Sequence, residues 1–250
     1  MTATKSYAEA LMGQTPEVAK AFLENPNRWK LAVNGKEMPV GTDFEMKSRF
    51  GTVKSAVVMN ADNTPAFDKP IVYEADAVIV VAFGIAKDDT PRIAVIRQHR
   101  PHADDPLNKW QDGHKAVLIG QPAMGYLDKV TGDKLEVPEA GAVRETGEET
   151  GASAVLSVER PKCPWQNPNP THCGYWTDLV FVKVDLEKVE ALKADHTEPI
   201  YSAEYISVPE LFRRIRKGQD EAGAYYRMAI ANSVWMLFFA THPEFLKEVV

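Results

Sequence analysis

Apolar positions along this chain recur with two periods, and stretches of each alternate. Short β-branched and aromatic blocks bounded by turn formers run over Phe50–Met59, Ile71–Tyr73, Ala77–Ala86 (AVIVVAFGIA) and Arg92–Arg97 (RIAVIR), the signature of strands. Ala116–Ile119, Val155–Glu159, Leu179–Val184 (LVFVKV) and Ala203–Val208 continue the series. Helical spacing takes over in the leader, where Tyr7, Leu11, Val18, Phe22 and Leu23 recur, and in Leu211–Ile215 behind the capping start Ser207-Val208-Pro209-Glu210. Tyr225–Phe239 is apolar around most of a helix and is expected to be buried. This alternation predicts an α/β fold, a mixed sheet between helices, although periodicity does not supply its topology. Prolines at 161, 164, 168 and 170 forbid helix and ladder alike, so 160–174 reads as a long irregular loop.

One stretch breaks the pattern by being charged rather than apolar. In GYLDKVTGDKLEVPEAGAVRETGEETG, from Gly125 to Gly151, Pro138 suits a first helical turn and Gly151 a left-handed stop. Glu145, Glu148 and Glu149 then stand at i, i+3 and i+4, with β-carbons ~5–6 Å apart. Like charges so spaced destabilise a helix by a few tenths of a kcal/mol per pair, so a cation is expected to offset them. Carboxylate oxygens in that number suit a hard divalent ion, Mg2+ or Mn2+. A solvated acidic face is the alternative. Against it, Glu136, Arg144 and the three glutamates match a given window by chance on the order of once in a million.

Composition narrows the partners. A net charge of −6 argues against a nucleic-acid backbone, which favours a basic face. No apolar run reaches the ~18 residues of a membrane span, and the start MTATKSYAEALMG lacks a secretory pattern. Cys163 and Cys173 imply no disulfide framework, which leaves the cytoplasm as the expected compartment. Together with His172 they lack the fourth ligand and the close spacing of a zinc site.

The segment Glu136…Arg144-Glu145-x-x-Glu148-Glu149-x-Gly151 resembles the signature of the Nudix hydrolase family. The family's upstream glycine is matched by Gly125 rather than by Val130, leaving Tyr126–Leu135 as a loop five residues longer than usual. The resemblance implies a Nudix α/β/α sandwich with a mixed sheet over residues 75–250, and a leader with a small β subdomain over 1–74 that helps build a homodimer. It points to the branch that hydrolyses ADP-ribose and nucleoside diphosphate sugars with Mg2+. In that reading Glu145 and Glu149 are the principal metal ligands, Glu148 a third or bridging one, and Ala123 adds its carbonyl from a Gln121-Pro122-Ala123 turn. Arg144 orients the carboxylates and Glu136 stands behind them.

Gln98 and Arg100, ending a strand as Gln98-His99-Arg100, resemble the family's substrate-side strand end. Glu198 is the expected general base, with Glu204 and Asp195 in reserve. Trp165 could stack on a purine or simply anchor its loop. The expected reaction is hydrolysis of the pyrophosphate bond of a nucleoside diphosphate linked to another group, with ADP-ribose giving AMP and ribose 5-phosphate. A GDP-mannose or UDP-glucose type pyrophosphatase, or a non-catalytic nucleotide sensor, are the alternatives.

Overall fold

In the computed structural model, residues 4–25, 32–33, 35–39, 41–48, 51–100, 117–166, 176–192 and 200–248 are described. They divide between two compact units, one ending at Ala75 and one beginning at Asp76.

The strand Ala77–Ile85 explains the architecture of the second unit. Its apolar run is unbroken, so both of its faces must be covered. On one side Val78 and Val80 pack with Ile96, Ala123, Val180 and Val182, and with Ala142 from helix Pro138–Thr150. On the other, Ile79, Val81 and Phe83 meet Leu211 of helix Val208–Lys217 and Val234, Trp235 and Phe238 of helix Ala229–Thr241. The result is an α/β/α sandwich around a mixed sheet of eight strands, the fold expected from the sequence.

Within that sheet Thr177–Val184 runs parallel to Ala77–Ile85 along its length. On its other side Ala77–Ile85 pairs with Pro91–Arg100 only over Phe83–Ile85, after which the two strands part. Residues 117–126 fill the fork: Val117–Gln121 pairs with Ile96–Arg100, and Ala123–Tyr126 pairs with Ala77–Val80. Ile200–Ser207 lines the far side of Pro91–Arg100. That double pairing carries the strand on to Arg100, three residues beyond the apolar block at Arg92–Arg97.

Helix Ala229–Thr241 begins four residues later than the apolar run, because Tyr225 forms a backbone bridge to Ile119. Tyr226 then lies over Gly120, where an added Cβ would approach its ring to 2.4 Å. In the N-terminal unit Gly51–Met59 pairs with the longer strand Pro65–Glu74, and helices Tyr7–Leu11 and Pro16–Leu23 begin at the caps Ser6 and Thr15.

A buried ion network secures the face away from the glutamate helix. Arg97 donates to Asp220 (2.6 Å) and Glu204 (2.5 Å), while Arg214 reaches Glu204, Glu210 (2.6 Å) and the Tyr226 hydroxyl (2.9 Å). Hydrogen bonds from Arg213 and then Arg214 outweigh desolvation and bring the Glu210 carboxyl down to about 2. A lowered carboxyl contributes stability above its ordinary value of 4.5 that is lost as pH falls toward 2. Glu210→Gln is therefore expected to cost on the order of 1–2 kcal/mol at pH 7 and to flatten the acid-side loss, as read by urea unfolding at pH 7 and pH 3.

Candidate functional site

Helix Pro138–Thr150 starts with Pro138 in its first turn and stops at Gly151, whose φ of 74° and N–H bond to the Gly147 carbonyl close the C-terminus. With Ala142 fixed against the sheet, the i+3 and i+7 positions Glu145 and Glu149 are carried inward too. They are 5% and 1% exposed, whereas the Glu148 side chain is 60% exposed. The three glutamates thus divide into two buried carboxylates and one at the rim.

Both buried carboxylates lie against the strand Ala123–Tyr126. Glu149 Oε2 accepts the Met124 N–H at 2.8 Å. Gly125 passes so close that an added Cβ would lie 1.8 Å from Glu145 Oε1. Only glycine leaves room for that carboxylate in place.

Arg144 binds the group together. Its Nη1 donates to Glu145 Oε1 (2.7 Å) and Glu148 Oε2 (3.0 Å), and its Nη2 to Glu136 Oε1 (2.6 Å) and the Tyr126 carbonyl (2.8 Å). Asp128 adds an ion pair to Nε at 3.2 Å. Partial burial works against the guanidinium charge, but its bonds to Glu136 and the field of Glu145 prevail and raise its pKa further. Burial likewise opposes the Glu136 charge, and bonds from Arg144 and the Asp128 N–H overcome it, holding the carboxyl below its usual range.

The extra residues of the 126–135 segment are ordered as a small hairpin, Lys129–Thr131 against Lys134–Leu135. Asp128 and Glu136 close its base: the Glu136 N–H bonds the Asp128 carbonyl (2.8 Å), and the Asp128 N–H bonds Glu136 Oε1 (3.0 Å). The sequence gives no direct sign of this clasp, since the two residues lie eight apart.

Gln98 and Arg100 occupy the same face of the sheet as Ile96 and the glutamate helix. Gln121, opposite Ile96, joins them: Arg100 Nε donates to its Oε1 (3.1 Å) and its Nε2 donates to Gln98 Oε1 (2.9 Å). Ala123 is fully buried beside Val80.

Trp165, 54% exposed, pairs with Asp178, which neighbours Val78, which faces Gly125. It therefore stands at the same end of the sheet, three strand spacings or roughly 14 Å away. Glu204 faces the opposite side, opposite Val95, between Arg97 and Arg214, and is thereby engaged away from the carboxylates. Glu198 and Asp195, like His172 and Cys173, lie outside the described residues; Cys163 is exposed with a free thiol.

Among the described residues no three acidic, histidine or cysteine side chains converge as a ready-made metal cluster. The reason is visible in the geometry, since Arg144 draws Glu145 and Glu148 toward itself. The donor set still fits a hard divalent cation: Glu145 and Glu149 offer carboxylate oxygens one turn apart, the first of them seated against Gly125.

No protein-family model matches the chain, and no curated protein matches it in sequence. Among solved structures it is similar to an ADP compounds hydrolase, with a TM-score of 0.52 and 17% identity over 83% of this chain and 95% of that one. At that identity the likeness establishes the fold alone, an α/β sandwich, and the site rests on its own geometry. Among the described residues no helix is long and apolar enough to cross a membrane.

Arg144→Met is expected to destabilise the chain by about 1–3 kcal/mol at pH 7.5, because it leaves buried carboxylate oxygens without the donor that satisfies them. The difference from wild type should shrink toward pH 4 as those carboxylates take up protons, as read from urea unfolding at both pH values.

Proposed function

We propose that this chain is a hydrolase of nucleoside diphosphate derivatives, cleaving the pyrophosphate bond with Mg2+, and that ADP-ribose is its substrate, giving AMP and ribose 5-phosphate. The observation that carries the proposal is the pair of buried carboxylates, Glu149 bonded to the Met124 N–H and Glu145 seated against Gly125, on the face that also carries Gln98 and Arg100. Likeness in fold to an ADP compounds hydrolase supports it.

Each group has a part in the reaction. Glu145 and Glu149 would hold Mg2+, with Glu148 and the Ala123 carbonyl as further ligands. The ion supplies charge neutralisation at the phosphates and a more acidic bound water. Arg144 and Glu136 keep the carboxylates in position, a supporting role that commonly alters metal affinity by 10–100-fold. Arg100 offers a planar fork of donors to phosphate oxygens.

Glu198 is the proposed base: it precedes Ile200 by two residues, and Ile200 pairs with Gln98. Trp165 is the proposed stacking partner for the base of the nucleotide. The chain would act as a homodimer in the cytoplasm.

The test is a panel of ADP-ribose, GDP-mannose, UDP-glucose, dinucleotides and nucleoside triphosphates, each with purified protein and Mg2+. Cleavage of ADP-ribose to AMP is expected, and preference for free triphosphates would overturn the substrate assignment. Glu149→Gln should lower kcat by at least about a hundredfold, the scale for losing one electrostatic stabiliser, because the amide still accepts the Met124 N–H but no longer carries charge. Its unfolding free energy should stay within about 1 kcal/mol of wild type. Gly125→Ala should reduce kcat comparably by displacing Glu145, with Mn2+ binding measured by calorimetry weakened in parallel.

A further inference from the structure

Between the glutamate helix and the Gln98–Arg100 strand end lies one side chain with no part in the scheme above. Gln121 is fully buried at the fork of the sheet, one residue before Pro122 and two before Ala123. Both ends of its amide are in use, Oε1 accepting from Arg100 Nε at 3.1 Å and Nε2 donating to Gln98 Oε1 at 2.9 Å. An ionised carboxylate could accept from Arg100 but not donate to Gln98, and an apolar side chain could do neither.

We infer that Gln121 is a positioning residue that sets specificity for anionic ligands: it fixes Arg100 and Gln98 in one arrangement while adding no negative charge beside the guanidinium. The inference rests on the reading of this face as a diphosphate site. A carboxylate at position 121 would form a charge-assisted bond to Arg100 and compete directly with phosphate for it. The neutral amide supplies the same orientation without that competing charge. Because Gln98 accepts through Oε1, its own amide hydrogens remain donors, and Gln121, itself fully buried, holds that amide and the Arg100 guanidinium in place.

Calorimetric titration of the full chain in Mg2+ with ADP and with AMP, alongside steady-state kinetics, separates charge from shape. Gln121→Glu should weaken ADP binding by at least about tenfold, the scale of one added charge near a partly screened phosphate, and raise KM by a similar factor. Its kcat should stay within about threefold, since the change acts on binding in ground and transition states alike. AMP, with less charge, should lose less affinity than ADP. Gln121→Met, which removes both hydrogen bonds without adding charge, should weaken ADP binding by only about three- to tenfold, the scale of one ordinary hydrogen bond, because it loosens Arg100 and Gln98 without opposing the phosphate.

ADP affinity unchanged in Gln121→Glu, a larger loss in Gln121→Met than in Gln121→Glu, or no ADP binding by wild type would each overturn the inference. Should Gln121→Glu fail to fold in thermal melts, the methionine variant decides: affinity equal to wild type overturns it. Wild-type protein that binds ADP yet cleaves no member of the substrate panel overturns the hydrolase reading alone, and the ratio of ADP affinities still decides the role of Gln121.

Discussion

Two carboxylates buried one helical turn apart are costly to take out of water, by several kcal/mol each before compensation. The second unit is arranged to supply that compensation. Glu149 takes a backbone N–H from Met124, and Glu145 takes a guanidinium N–H from Arg144. Arg144 in turn grips the Tyr126 carbonyl and Glu136. Helix Pro138–Thr150 therefore cannot slide along strand Ala123–Tyr126 without stripping partners from charged groups. That stitch, more than apolar packing, fixes where the carboxylates point. A helix whose only inward contacts were Ala142 and two threonines could settle in several registers.

The forked sheet explains why two strands far apart in sequence serve one face. Because residues 117–126 fill the gap between Ala77–Ile85 and Pro91–Arg100, one continuous segment touches both sides of the site. Its Gln121 end meets Gln98 and Arg100, and its Met124–Tyr126 end meets the glutamate helix. Side-chain parity then divides neighbouring charged residues between unlike tasks. Arg97 and Arg100 are three apart on one strand and so point to opposite faces. Arg97 enters a closed ion network with Asp220 and Glu204, and Arg100 lies toward the carboxylates' side. The same parity takes Glu204 away from the glutamate helix while leaving Tyr205 on its side, where it bonds Thr150 and where burial lifts its hydroxyl to about 12.

Several of these features are legible in the sequence because they are local. Pro138 and Gly151 bound their helix as expected, Ser207 caps the next one, and the unbroken apolar runs at 77–85 and 179–184 became the parallel pair at the centre. Spacing also gathers Glu145, Glu148 and Glu149 on neighbouring positions, but it cannot say which of them turn inward. That depends on Ala142 meeting Val78 and Val80, a contact between residues some sixty positions apart. The Asp128–Glu136 clasp, the bridge of Tyr225 to Ile119 and the role of Gln121 are likewise tertiary. Part of the repulsion among the glutamates is offset within the chain, by Arg144 bonding Glu145 and Glu148.

The charge balance around that arginine bears on what the site can accept. Asp128, Glu136, Glu145, Glu148 and Glu149 are five carboxylates, of which the first four bond or pair with a single guanidinium and the fifth follows one turn beyond Glu145. Five negative charges and one positive leave a surplus of four negative charges. A surplus of that size, half buried, repels a bare diphosphate, so the face can take such a ligand only together with cations that outweigh it. Arg100 alone does not suffice. A divalent ion at Glu145 and Glu149 would halve that surplus and a second would cancel it, after which Arg100 tips the balance toward attracting phosphate. On this argument the acidic helix and the Gln98–Arg100 strand end depend on each other, the first concentrating positive charge when loaded and the second giving that charge a direction.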